Sequence, residues 1–180
     1  TLFLHMISIV AGEGLQTYFD IAIGADFLAF YTGGSFYNQG ILGQIYDIGY
    51  IFRGYVLPPE IYFPAQFEFQ RELIGPDFTN HSPFINPPYA ALLYAPFAML
   101  DYISAYILWI IFNLFLLFIS AKLIHQELPQ LQKIPLYKLY VCCFLFFPTI
   151  ACYLYGQATP IIPFLYCLCY VSLRKGNDFT

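Results

Sequence analysis

Charge is scarce in this sequence: 10% of its 180 residues are Asp, Glu, Lys or Arg, against about 25% in ordinary soluble domains. Its seven cations never cluster as a nucleic-acid backbone would require, and with a net charge of −4 the chain has no nucleic-acid partner. A glycine-rich phosphate loop is missing, and so is an Asp-x-Asp pair of the kind that holds a metal on a nucleotide diphosphate. Histidine is rare and scattered: His5 falls in the first apolar run, His81 and His125 in different polar stretches, so no metal site is expected from them. The five cysteines lie in apolar runs near the C-terminus, where they read as small core or lipid-facing residues, and Cys167-Leu-Cys169 lacks the second ligand pair a zinc site needs. No metal and no cofactor is expected. Internal repeats and low-complexity tracts are also absent, and no basic stretch or small-residue cleavage site of a removable signal peptide precedes the first apolar run.

What the sequence has in excess is apolar and aromatic surface. Hydrophobic residues make up 59% and aromatics 21%, which places the chain in a bilayer. A spanning helix takes about 20 apolar residues to cover about 30 Å of hydrocarbon. Residues 102–121 meet that without a charge, 139–155 form a second candidate interrupted by Pro148, and 158–173 a short third with Pro160 and Pro163 near its start. Tyr155-Gly-Gln-Ala158 reads as the tight turn of a hairpin between the last two. The opening run 1–11 is too short to span and reads as a helix cut at its N-terminal side, so the chain is expected to be the N-terminal part of a longer protein, with 1–180 a single membrane domain.

Lys and Arg in short loops stay cytoplasmic. Lys122, Lys133 and Lys138 lie between the first two spans, and Arg174 with Lys175 follows the third, so both places read as inside. Region 12–101 then lies outside, on the same side as Gly156-Gln157. Nine of the eleven acids fall in that outer region, against only Arg53 and Arg71 among the cations. Within it, 26–43 reads as an amphipathic helix along the membrane surface, 47–83 as loop with short helical pieces including 65–74, and 87–100 as an interfacial or re-entrant stretch broken by Pro96.

An enzyme on the outer face of a bilayer meets no nucleotide sugars, so a glycosyl donor there arrives on a lipid carrier. Transfer to a hydroxyl needs a base, which an ionised carboxylate supplies. Asp26, just beyond the first apolar segment, is the leading candidate; its structural alternative is a helix N-terminus, where an acid favours the dipole. Glu13 and Asp20 are next in line. Glu68, Glu72 and Asp77 read as a solvated face, and Asp101 as the cap of the following span. Arg53 and Arg71 are the outer cations available to a lipid phosphate, unless Arg71 simply pairs with Glu68 or Glu72. His81 is either a phosphate contact or an exposed loop histidine. Gln157 is either part of a turn or an amide directed at a sugar hydroxyl in a crevice shared with Asp26.

Asp26-Phe-Leu-Ala-Phe-Tyr31, Tyr46-Asp47, Asn86-Pro-Pro-Tyr-Ala-Ala-Leu-Leu-Tyr-Ala-Pro96 running into Ala105 and Trp109, Gly156-Gln157 and the closing Arg174-Lys-Gly-Asn-Asp178 together resemble glycosyltransferase family 87. The resemblance implies an all-α, polytopic membrane protein with a GT-C-like transmembrane helix bundle, extracytoplasmic juxtamembrane helices and a long first outer loop. It also implies inverting transfer of mannose or another hexose from a polyprenyl-phosphate donor to a lipid or glycan acceptor, at the extracytoplasmic side of the inner (plasma) membrane. Asp26 is the position matching the general base. Tyr31, Arg53, His81, Asn86 and Gln157 are the candidate substrate-binding residues, with Asn86 standing where the family usually has an aromatic. Residues of later loops that bind the donor phosphate would be missing, and the fragment alone inactive. Two rival readings remain at this point: a transporter or lipid flippase, which would place ionisable groups at the bilayer midplane and show related halves, and a non-catalytic assembly subunit.

Overall fold

The computed structural model describes residues 12, 14–17, 21–51 and 60–176. The partial span expected over 1–11, with His5, Glu13, Asp20, Arg53, Asn177 and Asp178, lies outside the described residues. The protein is mostly helical, as expected. It divides into two compact units, Thr1–Tyr106 and Ile107–Thr180, with the division falling inside a helix rather than at the loop before it.

The first unit is built around α1, Ala25–Asn38. Surface amphipathicity was the expectation for this stretch, and the structure corrects it: Phe27, Leu28, Ala29, Tyr31 to Ser35 and Phe36 are all buried. The reason lies in the residues themselves, since α1 carries apolar or small side chains on all sides, the pattern of a helix surrounded by protein. Gly33 and Gly34 lower helix propensity by about 1 kcal/mol each but permit contact that no side chain would. A Cβ at Gly33 would sit 2.6 Å from the Phe84 ring, and one at Gly34 would sit 2.7 Å from the backbone of Tyr94.

Against α1 lies the broken apolar stretch predicted for 87–100. It forms a 3-10 turn at Pro88–Ala90, a single helical turn α3 at Ala91–Tyr94 and another 3-10 turn at Phe97–Met99, for which Pro96 is the N-terminal cap residue. The Tyr94 ring stacks on Phe30 at 4.4 Å, and Asn38 Nδ2 donates to the Ala95 carbonyl at 2.8 Å. Between these come a 3-10 turn at Leu42–Tyr46, a two-stranded antiparallel hairpin, β1 (Gly49–Ile51) with β2 (Glu60–Tyr62) in register Tyr50 to Ile61, and α2 at Pro64–Ile74. The hairpin was not anticipated; α2 matches the predicted helical piece within a residue.

Two glutamines hold the rest of this region in place. Gln66 and Gln70, one turn apart on α2 and both fully buried, each clasp a residue of the irregular stretch that follows. Gln66 accepts from Phe84 N at 2.6 Å and donates to Phe84 O at 3.2 Å and Ile45 O at 2.5 Å. Gln70 accepts from Ser82 N at 3.1 Å and donates to Ser82 O at 2.7 Å and Thr32 Oγ1 at 3.1 Å. Neighbouring turns of a helix are about 5.4 Å apart, a distance two residues of chain can bridge. The side-chain amides thus take the place a strand would have, satisfying backbone groups that are costly to bury alone.

The second unit follows α4, Tyr102–Glu127, whose 26 residues rise about 39 Å at about 1.5 Å each. Its N-terminus is capped as expected, Ser104 N donating to Asp101 Oδ1 at 3.1 Å. Alone among the described helices α4 is long and apolar enough to cross a membrane. A short α5 (Pro129–Gln132) precedes α6 (Leu136–Leu145) and α7 (Phe147–Tyr155), which meet at 61° and make a second span if counted as one bent helix. Pro148 sits in the first turn of α7, where its missing N–H is tolerated but a straight continuation from α6 is not. The third predicted span is α8, Ile161–Arg174, only 14 residues long.

One end of this unit gathers the last cations: Arg174 Nη1 donates to Glu127 O at 2.6 Å, and Lys175 Nζ lies 3.4 Å from the Glu127 carboxylate. Toward the other end of α4, Trp109 Nε1 donates to Gly156 O at 2.8 Å and fixes the tip of the α7–α8 turn. Gly156 takes the left-handed conformation at φ 70°, as a glycine at a helix C-terminus does.

Candidate active site

Asp26 stands in the first turn of α1, but it is not the cap: Gly24, left-handed at φ 67°, holds that position without a side-chain bond. The N-terminal end of α1 is fixed from below by α4. Tyr102 donates its hydroxyl to Ile23 O at 2.6 Å, and the Tyr106 ring lies where a Cβ on Gly24 would come within 2.5 Å. Phe27 packs among Tyr31, Tyr102 and Tyr106 at 6.1, 5.9 and 5.6 Å between ring centroids. Asp26 therefore projects from a rigid, doubly anchored helix start whose dipole favours an anion. It is half-buried, and among the described residues nothing hydrogen-bonds to or pairs with its carboxylate.

The other predicted residues are held by separate partners. Tyr31, five residues on and so about 140° around the helix from Asp26, is buried with its hydroxyl donating to Leu100 O at 2.8 Å. Burial, and then the nearby Asp101 charge, raise its pKa. Asn86 is half-buried, with its backbone carbonyl accepting from the Tyr46 hydroxyl. Arg53 lies outside the described residues. Arg71 turns to the Pro76 carbonyl, at 2.9 and 3.3 Å, and over the Phe67 ring, not to Glu68 or Glu72 as an ion pair would.

His81 is not a free loop side chain. Its Nδ1 lies 3.1 Å from Gln70 Oε1 and its ring meets Phe67 edge-on at 5.8 Å. The Gln70 oxygen already accepts from Ser82 N, so Nδ1 carries the proton and donates, leaving Nε2 with a bare lone pair. That nitrogen is buried with no partner among the described residues. Burial pulls the ring pKa down to about 4, so the imidazole is neutral at physiological pH.

In the second unit Gln157 is oriented rather than loose. Its Oε1 accepts from Cys152 Sγ at 3.4 Å and Thr159 Oγ1 at 3.2 Å, while its backbone N donates to Cys152 O at 2.9 Å. With the carbonyl end of the amide occupied, the NH₂ end has no acceptor among the described residues. Beside it, Cys142, Cys143, Cys152, Phe146 and Pro148 line an apolar cavity of about 430 Å³. Among the described residues no three His, Cys, Asp or Glu gather as metal ligands.

The sequence model of glycosyltransferase family 87 matches residues 84–180. The chain belongs to that family. A glycosyltransferase moves a sugar from a donor to an acceptor, and the apolar helix α4, with α6–α7 as a second candidate span, associates this one with a membrane. The match takes in Asn86 and Gln157, whereas Asp26, Tyr31 and His81 precede it. No curated protein and no solved structure matches the transferase. Sequence reasoning missed Gln66, Gln70 and Thr32, which organise the first unit of the transferase. Two glutamines four apart on a helix were the available signal, since residues at that spacing share a face.

Proposed function

We propose that the protein is an inverting membrane glycosyltransferase that moves a hexose, mannose among the candidates, from a polyprenyl-phosphate donor to an acceptor hydroxyl at the extracytoplasmic face, with Asp26 as general base. The observation that carries this reading is the half-buried Asp26 carboxylate in the first turn of an anchored helix, without a partner among the described residues, within a chain of the transferase family. The acceptor oxygen attacks the sugar C1 from the face opposite the phosphate, the C1–O bond to phosphate breaks, and polyprenyl phosphate leaves with the bonding pair. Asp26 takes the acceptor proton as the new glycosidic bond forms. A carboxylate tied up in an ion pair would be a weaker base, because the pairing stabilises its charged form.

Within the second unit, Gln157 is a separate candidate substrate contact, its NH₂ polarity preset by Cys152 and Thr159. Asn86 flanks the acceptor and Arg53 balances the donor phosphate, while Tyr31, buried with its hydroxyl bonded to Leu100 O, belongs to the scaffold. His81, neutral in its buried setting, offers an acceptor nitrogen and not a charge. Mass spectrometry of lipid-linked glycans from cells lacking the full-length protein tests the assignment. Loss of one hexose-bearing product, with the polyprenyl-phosphate sugar accumulating, supports it. An unchanged glycan profile together with solute uptake by the protein in proteoliposomes overturns it.

A further inference from the structure

The turn that carries Gln157 is tied down by more bonds than the end of a helix needs. Gly156 and Gln157 close α7 as a paired C-terminal cap: Gly156 N donates to Tyr153 O at 3.2 Å and Gln157 N to Cys152 O at 2.9 Å, with Gly156 left-handed at φ 70°. Those two bonds already stop the helix. The peptide unit joining Gly156 to Gln157 still has an acceptor, the Gly156 carbonyl, and Trp109 Nε1 donates to it at 2.8 Å. Both polar groups of one peptide plane are thus held from different elements, the N–H by α7 and the C=O by α4. Beside a glycine such a plane otherwise rotates at little steric cost.

Trp109 is itself immobilised. It is fully buried, its ring lies against Phe112 at 5.6 Å between centroids, and its backbone carbonyl accepts from Asn113 Nδ2 at 2.9 Å. The far end of α8 repeats the spacing: Trp109 with Gly156 and Glu127 with Arg174 are both pairs 47 residues apart in sequence. The turn and α8 therefore run beside α4 in one register over about 27 Å. The Arg174 contact is exposed, where a charged contact adds little, whereas the Trp109 contact is buried and governs the end that carries Gln157. On a spanning α4, which its length and composition allow, Trp109 lies about 10 Å inward of Tyr102. At that depth no water is at hand to replace a lost partner of the Gly156 carbonyl.

We propose that Trp109 is a positioning residue for substrate: its indole N–H, by holding the Gly156 carbonyl, fixes the backbone from which Gln157 reaches a hydroxyl of the donor sugar. The Gln157 Oε1 is held in turn by Cys152 and Thr159, so the NH₂ end is aimed without Trp109 touching the substrate. The inference rests on Gln157 being a substrate contact and is independent of Asp26 as base. A purely structural bond, there only to satisfy a buried carbonyl, would cost stability on removal and leave substrate affinity alone.

The test uses the full-length protein in lipid nanodiscs with two replacements at position 109: Trp109→Phe, and benzothienylalanine, which keeps the shape of the indole and lacks its N–H. Each is made in the parent and in a Gln157→Ala background. Hydrogen–deuterium exchange read by mass spectrometry follows the turn without turnover, and exchange in peptides covering 154–159 should rise several-fold while peptides from α2 stay unchanged. Transfer from a polyprenyl-phosphate hexose reads the contact itself: KM for the donor should rise about two- to tenfold, the worth of one hydrogen bond, with kcat nearly constant. Once Gln157 is Ala, the same replacements should change KM by less than about twofold, because the interaction they act through is gone. Unchanged exchange at the turn overturns the proposal, and so do KM losses of equal size in the two backgrounds. Equal losses in a parent that transfers hexose leave the transferase assignment standing, whereas a parent that transfers none overturns both.

Discussion

Asp26 and His81 are both half-buried ionisable groups in the same unit, and their surroundings treat them differently. Asp26 sits at the positive end of a helix with no partner among the described residues. His81 is wedged between aromatic rings and a glutamine carbonyl whose only capacity is to accept, which fixes its proton on Nδ1. Desolvation lowers its pKa from 6.5 to about 4, and this has a consequence for stability. Between those values the unfolded chain binds a proton that the folded chain refuses, so stability is greatest above the unfolded value and falls as pH drops. Thermal unfolding of the purified protein should show a melting temperature that declines between pH 6.5 and about pH 4, with His81→Gln flattening the decline in that window. A profile identical in the two proteins would mean the ring is not buried as described. In the sequence His81 reads as a phosphate contact or an exposed side chain. Its shielding was not legible, because it depends on Gln70 from a helix eleven residues away.

The same glutamine shows how elements of the first unit are joined by side chains. Gln66 ties α2 to Phe84 and Ile45, and Gln70 ties it to Ser82 and Thr32. Replacing Gln66 with Leu keeps the volume and leaves the Phe84 N–H and the carbonyls buried without partners, at about 1–3 kcal/mol for each orphaned group. Chemical denaturation should therefore find Gln66→Leu destabilised by about 3 kcal/mol or more, whereas Glu68→Leu on the exposed side changes stability little. Equal effects would contradict the clamp. Helix α2 itself, the Asp101 cap and the interruption at Pro148 were all readable in advance, since each follows from local chemistry: Pro at a helix start, an acid before an apolar run, a missing N–H inside one. The role of α1 was not. Its aromatic and glycine content suggested a surface helix, and only the packing of Phe84 and α3 against Gly33 and Gly34 makes it the core.

Along the chain, a first unit with unusual polar joinery is followed by a helical unit, and the long helix that runs through the division is apolar enough for a bilayer. Composition and the placement of charge made the membrane reading and the helical class visible, and short motifs made the family visible. Which polar groups are free and which are spent in the scaffold was not visible. Tyr31 and His81 are engaged in scaffold bonds, while among the described residues Asp26 and the Gln157 NH₂ are not. The claim on which the functional account turns is that the Asp26 carboxylate is the base. Its most direct test is the rate of hexose transfer from a polyprenyl-phosphate donor by full-length Asp26→Asn, measured beside the parent protein at matched yield and melting temperature. The account predicts a loss of about 100-fold or more, the range a positioned general base contributes. A well-folded Asp26→Asn protein that turns over at the parent rate would contradict it and move the search for the base to Glu13 or Asp20.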